Sequence, residues 1–131
     1  MPGLDRDTPI PTEITLDRKR RVLVLVYPDG QHELSFEYLR VLSPSAEVRG
    51  HGPGQEVLQV GKRDVDIVEL EPVGMYALRP RFSDGHDTGI YSWDYLHRLV
   101  VEREQAWADY LRRLEAAGAS RDPVPAPKAS A

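Results

Sequence analysis

Two stretches of this chain follow one plan, and that repetition constrains the fold more than any other feature. The first runs Tyr27-Pro28-Asp29-Gly30-Gln31-His32-Glu33-Leu34-Ser35-Phe36-Glu37-Tyr38-Leu39. The second runs Phe82-Ser83-Asp84-Gly85-His86-Asp87-Thr88-Gly89-Ile90-Tyr91-Ser92-Trp93-Asp94-Tyr95-Leu96. Each reads aromatic, any residue, Asp, Gly, a short strand, then aromatic, acid, Tyr, Leu. The second holds two extra residues between turn and helix. Asp-Gly between apolar runs marks a tight turn, with glycine free to take a positive φ. Ser35 and Ser92 stand where a helix N-cap belongs. The predicted unit is a hairpin followed by a helix, present twice.

The remaining segments fit around these units. Thr12 to Asp17 reads as a strand. Arg21 to Tyr27 is a continuous apolar run, the pattern of a strand covered on both faces. Helix Phe36 to Val41 cannot pass Pro44. Glycines 50, 52 and 54 predict a loop from Ser43 to Gln55. Val65 to Leu70 and Met75 to Phe82 read as paired strands. A long final helix is predicted from Ser92 to Gly118, with Leu96, Leu99 or Val100, Trp107, Leu111 and Leu114 as its apolar stripe. Six of the eleven prolines lie in the tails. The expected organisation is a flexible tail over 1–11, one folded domain over 12–118 and a disordered Pro/Ala-rich tail over 119–131. The fold class is α+β: a single domain of antiparallel strands in two hairpin-helix units with a long C-terminal helix.

Composition removes several functions. A net charge of −4 argues against nucleic acid, because phosphate neutralisation needs clustered Lys and Arg. Arg18-Lys19-Arg20-Arg21 reads as a solvated turn. Without cysteine there is no disulfide, thiolate zinc site, cysteine-held cluster or cysteine nucleophile. No apolar run approaches the ~20 residues that span a bilayer. The N-terminus lacks the apolar core of a signal peptide, and a cytoplasmic location is expected. Gly61-Lys62-Arg63 is not a phosphate-binding P-loop, which needs Ser or Thr after the lysine.

Three segments together suggest a family: Tyr38-Leu39-Arg40, the loop Ser43-Pro44-Ser45-Ala46-Glu47-Val48-Arg49-Gly50-His51-Gly52, and Asp84-Gly85-His86-Asp87 leading to Trp93-Asp94-Tyr95-Leu96. In these the chain resembles the N-terminal domain of gamma-butyrobetaine hydroxylase and its trimethyllysine hydroxylase relatives. More closely, it resembles the bacterial stand-alone proteins of that domain family. In the hydroxylases the domain holds a structural zinc through three cysteines and one histidine. The resemblance places the histidine at His86 and the cysteine positions at Ser43, Ser45 and Val48. Ser43, Ser45 and Val48 supply no thiolate, so the family's zinc is expected to be absent, with the serines bonding to local backbone instead.

The hydroxylase reaction belongs to a separate, larger domain with Fe(II) and 2-oxoglutarate. None of the four histidines opens the His-x-Asp or His-x-Glu that such an iron site uses. The chain is therefore expected not to be an enzyme. Related domains also occur with iron–sulfur carrier ATPases, so the resemblance implies an accessory role with a protein partner, which is an iron–sulfur carrier ATPase by analogy.

Two readings of the site follow. The first is a non-catalytic binding or adaptor module, monomeric or a small homo-oligomer, that presents the Ser43–Gly54 loop and the His86 turn and has no cofactor. Its partner is placed in iron–sulfur or cofactor metabolism. The alternative is a protein that binds a metal ion, weakly held Zn or Fe, through His86 and His51 with Glu47, Asp84 and Asp87 nearby. A small anion is the other ligand in this alternative, held by a nest at Arg49, Gly50, Gly52 and Gly54. The plainer reading makes His51 and His86 turn residues bonded to backbone. Asp29 and Asp84 are explained by turn chemistry.

Overall fold

The structure, a computed structural model, describes residues 8–50, 52 and 54–123. The apolar run becomes β2 (Val22–Tyr27), the central strand of a three-stranded antiparallel sheet. On one side lies β1 (Glu13–Asp17), with Thr15 opposite Val24. On the other lies β3 (Gly30–Ser35), with Leu23 opposite Leu34. Tyr27 faces Gly30 across a two-residue turn, where Gly30 takes φ 139°. The central strand is covered because Leu23, Val24, Leu25 and Tyr27 are all buried.

Helix α1 (Phe36–Val41) starts at once, because the Ser35 side chain accepts the Tyr38 N–H at 3.0 Å. The second unit repeats the first. A second antiparallel sheet contains β4 (Ile67–Val73), β5 (Ala77–Phe82) and β6 (Tyr91–Ser92) in that order. Ala77 pairs with Ser92 as Val22 pairs with Ser35. Ser92 then caps α3 (Trp93–Val101) by accepting the Tyr95 N–H at 3.1 Å. The difference lies between turn and helix. After Asp84-Gly85 the chain does not return as a strand until Tyr91. Instead the His86 carbonyl accepts the Phe82 N–H at 2.9 Å, and 87–90 form an irregular segment.

Three expectations change. The long final helix is broken at Glu102, which sits at φ −95°, ψ 10°, giving α3 and α4 (Arg103–Ala116). Hydrogen bonds still run through the break, from Glu102 N–H to Arg98 and from Ala106 N–H to Glu102. The break lets two stripes face two clusters. Leu96 and Leu99 enter the main core with Leu23, Leu25, Phe36, Ile67, Phe82 and Tyr91. Tyr110 and Leu114 pack with Val41 in a smaller one. Leu111 is therefore exposed, and Tyr110 takes the place expected for it.

The Ser43–Gln55 segment is not all loop. Ser45 accepts the Glu47 N–H and opens α2 (Ala46–Arg49), which Gly50 ends at φ 70°. A Cβ at Gly50 would lie 2.0 Å from the Gln55 carbonyl oxygen, so only glycine fits there. Finally, the chain does not leave the body at Gly118. Gly61 N–H donates to Ser120, Arg63 N–H donates to Arg121, and the Arg121 guanidinium grips Glu37 at 2.6 and 2.8 Å.

Candidate functional site

The site forms where the two repeated units meet. Helix α1 ends at Val41 and delivers Ser43 to the protein interior; the turn after β5 delivers His86 opposite it. Ser43, Ser45, Val48 and His86 are all buried. Ser43 Oγ lies 2.8 Å from His86 Nε2, and His86 Nδ1 lies 3.1 Å from a Glu47 carboxylate oxygen. A carboxylate can only accept, so Nδ1 carries the proton and Nε2 accepts from the Ser43 hydroxyl. Ser43 Oγ in turn accepts the Ser45 N–H at 3.2 Å. Ser45 Oγ meets Thr88 Oγ1 at 2.7 Å. Gly89 closes the site from above: a Cβ there would lie 2.4 Å from Ser43 Oγ.

Burial pushes the His86 imidazole below its ordinary pKa, and the Arg40 charge adds to this. Glu47 and Asp84 oppose the shift but do not reverse it. His86 is thus neutral at pH 7, which suits an Nε2 that accepts.

Serine, histidine and carboxylate are linked here in the order of a hydrolytic triad, a constellation the sequence did not reveal. Its placement is the reverse of a working one. The would-be nucleophile Ser43 is only 1% exposed, while the Glu47 side chain is 66% exposed. A nucleophile must reach its substrate and the orienting acid is normally the sheltered member. The trio is built to hold two loops together.

Beside it lies an ionic cluster. Asp84 Oδ2 meets Arg40 Nε at 2.9 Å and Lys62 Nζ at 2.6 Å, and Oδ1 accepts the His86 N–H at 3.2 Å. Arg40 also donates to Gln59 Oε1 at 2.9 Å. Burial alone would raise the Asp84 carboxyl. Lys62, the His86 N–H and Arg40 outweigh it and hold the pKa at about 2. Turn chemistry therefore accounts for only part of Asp84; its main partners are the two cations. Sequence reasoning passed over Arg40, Gln59, Lys62 and Thr88. Arg40 alone carried a signal, as the third residue of the Tyr38-Leu39-Arg40 segment.

The other expected site residues fare differently. His51 lies outside the described residues. Asp87 is partly buried and makes no ion pair among the described residues. Among those residues no three His, Asp or Glu side chains are placed to share a metal ion. Structural zinc takes four N or S ligands. Ser43, Ser45, Val48 and His86 offer one imidazole, two hydroxyls and an aliphatic side chain, and both imidazole nitrogens are engaged. This donor set does not fit zinc. In the glycine loop, the Gly50 N–H is spent on the Ala46 carbonyl and the Gly52 carbonyl accepts the Gln55 N–H. Gly54 adopts φ 83°.

Two sheets, each feeding a serine-capped helix, with a buried Ser–His contact between them, define a small α+β scaffold. The family model for gamma-butyrobetaine hydroxylase-like, N-terminal domains matches residues 14–97. The chain belongs to that family. Two proteins with NMR solution structures are 47% and 46% identical to it, with TM-scores of 0.79 and 0.75. The matches cover 94% of this chain and 98% of the first, and 98% of this chain and 96% of the second. A crystal structure from Acidithiobacillus ferrooxidans ATCC 23270, of a protein with unknown function in the DUF971 family, is 41% identical with a TM-score of 0.56. That match covers 70% of this chain and 91% of the other. No curated protein matches.

Proposed function

We propose that this chain is a non-catalytic binding module in which the hydroxylase domain's zinc has been replaced by hydrogen bonds. The observation that carries the reading is the 2.8 Å contact between Ser43 Oγ and His86 Nε2. It joins two of the positions that the family resemblance assigns to zinc ligands, and it leaves His86 no free lone pair. The network fixes the α2 loop against the His86 turn, so both present one rigid surface. Val57 and Ile90, each about half exposed at 53% and 49%, flank that surface and supply apolar contact. The proposed partner is a protein, and the family analogy places it in iron–sulfur or cofactor metabolism, an iron–sulfur carrier ATPase being the candidate.

The test has two arms. Titration of the metal-free protein with Zn(II), then Fe(II), followed by two-dimensional NMR, is expected to leave the His86 ring signals unmoved at one equivalent. Saturable shifts at His86 that disappear in His86→Ala would overturn the zinc-loss reading. Affinity capture from host lysate, wild type against a Val57→Asp/Ile90→Asp double variant, addresses the surface. A specific protein held by the wild type alone is expected; identical capture profiles would remove the surface from the proposal.

A further inference from the structure

A cleft of about 110 Å³ opens beside the buried Ser–His contact, between the ends of α1 and α2 and the last turns of α4. Its charged lining is Arg49, Arg113 and Glu56; Leu42, Val57 and Tyr95 are among its other walls. A water needs only ~10–15 Å³ of such volume, so the cleft has room for a group of several atoms. It continues into a groove of about 670 Å³ along α4, and Leu42, Glu56 and Arg113 line both.

The cations here are in excess. Arg49 and Arg113 make no ion pair within 4.0 Å among the described residues, whereas Arg98 meets Glu102 at 3.4 Å and Arg112 meets Asp109. Arg49 sits 5.8 Å from the centre of the Tyr95 ring, and Arg98 sits 5.5 Å from the same centre. Glu102 offsets Arg98 in this pair, whereas among the described residues no carboxylate within 4.0 Å does so for Arg49. Glu56 is the single carboxylate lining the narrow cleft. It is held ionised first by its own N–H and that of Gly54, and then by Arg113 and Arg49. One negative charge thus faces two positive ones.

We propose that the Arg49–Arg113 cleft binds a small oxyanion, a carboxylate or phosphate, whose organic body lies along the α4 groove. Planar guanidiniums bind both groups through paired N–H donors. Leu42, Ala106, Tyr110 and Ala116 give the groove apolar wall, and the Asp109–Arg112 ion pair lines it as well. This site shares Ser43 and Val48 with the buried network as a wall but does not depend on the binding-module reading or on the fate of zinc.

The test is NMR titration at low, fixed ionic strength with inorganic phosphate, acetate and octanoate. Saturable shifts are expected at Leu42, Arg49, Tyr95 and Arg113. Arg113→Gln should weaken binding about tenfold or more, the scale of one charge-assisted contact. Glu56→Gln should tighten it, because the built-in competitor loses its charge. Arg79→Gln, which lines neither the cleft nor the groove and pairs with Glu71 at 2.9 Å, should change affinity less than threefold. Octanoate should bind more tightly than acetate, and phosphate against acetate distinguishes the two head groups. Unsaturable shifts spread over the surface, or equal affinities in wild type, Arg113→Gln and Glu56→Gln, would overturn the proposal. All these side chains lie at the surface or the cleft wall, so the variants should fold.

Discussion

Arg40 of the first hairpin-helix unit and Asp84 of the second meet at 2.9 Å, and this contact ties the two halves together. The Arg40 side chain is 8% exposed and the Asp84 side chain 25%. Removing one member of a sheltered pair leaves the other charge uncompensated, at a cost of about 3–5 kcal/mol. Lys62 softens none of this for Arg40, since it shares the same carboxylate. Asp84→Ala is therefore expected to destabilise by about 3 kcal/mol in urea unfolding. A loss below 1 kcal/mol would show that water reaches Arg40 freely.

The same residue sets the acid limb of stability. The Asp84 pKa in the fold, about 2, lies below its ordinary value. Its contribution is complete above the ordinary carboxylate range, ~3.9, and is lost as pH falls toward 2. His86 acts in a higher window. Its folded pKa is depressed, so the unfolded chain binds the proton first as pH falls. Stability is full above ~6.5 and declines as pH drops below it. Denaturant midpoints between pH 8 and 5 should fall for wild type and fall less for His86→Gln. Parallel curves would remove His86 from the account.

Ser43 receives a backbone N–H and gives its own proton to His86. Ser43→Ala strands both partners without changing shape much, and an unsatisfied buried group costs about 1–3 kcal/mol. Thermal unfolding should show that loss. Gly89→Ala is expected to be at least as damaging, because its new Cβ would lie 2.4 Å from Ser43 Oγ and 3.2 Å from the Tyr91 ring. A Gly89→Ala protein of wild-type stability would mean that the segment over Ser43 can yield.

Tyr27 offers a prediction of opposite sign. Its ring is buried between the rings of His32 and His97, at 5.9 and 5.4 Å. Among the described residues its hydroxyl has no hydrogen-bond partner, and burial, then Asp29, raises its pKa to about 12. Tyr27→Phe removes the orphan group and keeps the ring. It should leave stability unchanged or raise it by about 1 kcal/mol. A loss above 1 kcal/mol would reveal a partner for the hydroxyl.

Introducing thiolates tests whether this backbone can hold zinc. Ser43→Cys, Ser45→Cys and Val48→Cys together would place three sulfur ligands near His86, the set that structural zinc prefers. The triple variant should bind one Zn(II), read by cobalt substitution spectra, and gain thermal stability when loaded. Failure to bind would show that the backbone around α2 does not place the three positions for tetrahedral coordination.

Local chemistry was legible in the sequence wherever a residue's neighbours in the chain decide its state. The Asp-Gly turns need glycine's backbone freedom, and Ser35 and Ser92 cap helices by reaching only three residues ahead. The apolar run of β2 announced a covered strand for the same reason. What the sequence left open depended on groups far apart along it. Nothing local distinguishes Leu111 from Tyr110; the direction of α4 after Glu102 decides which is buried. Ser43 and His86 are forty-three residues apart, and Arg40 and Asp84 forty-four. The family resemblance pointed to Ser43 and His86, but only packing of the two units shows that a hydrogen bond joins them. Only packing brings Arg49 and Arg113 to one cleft, because long-range charge placement follows from how helices dock and leaves no periodic mark on the chain.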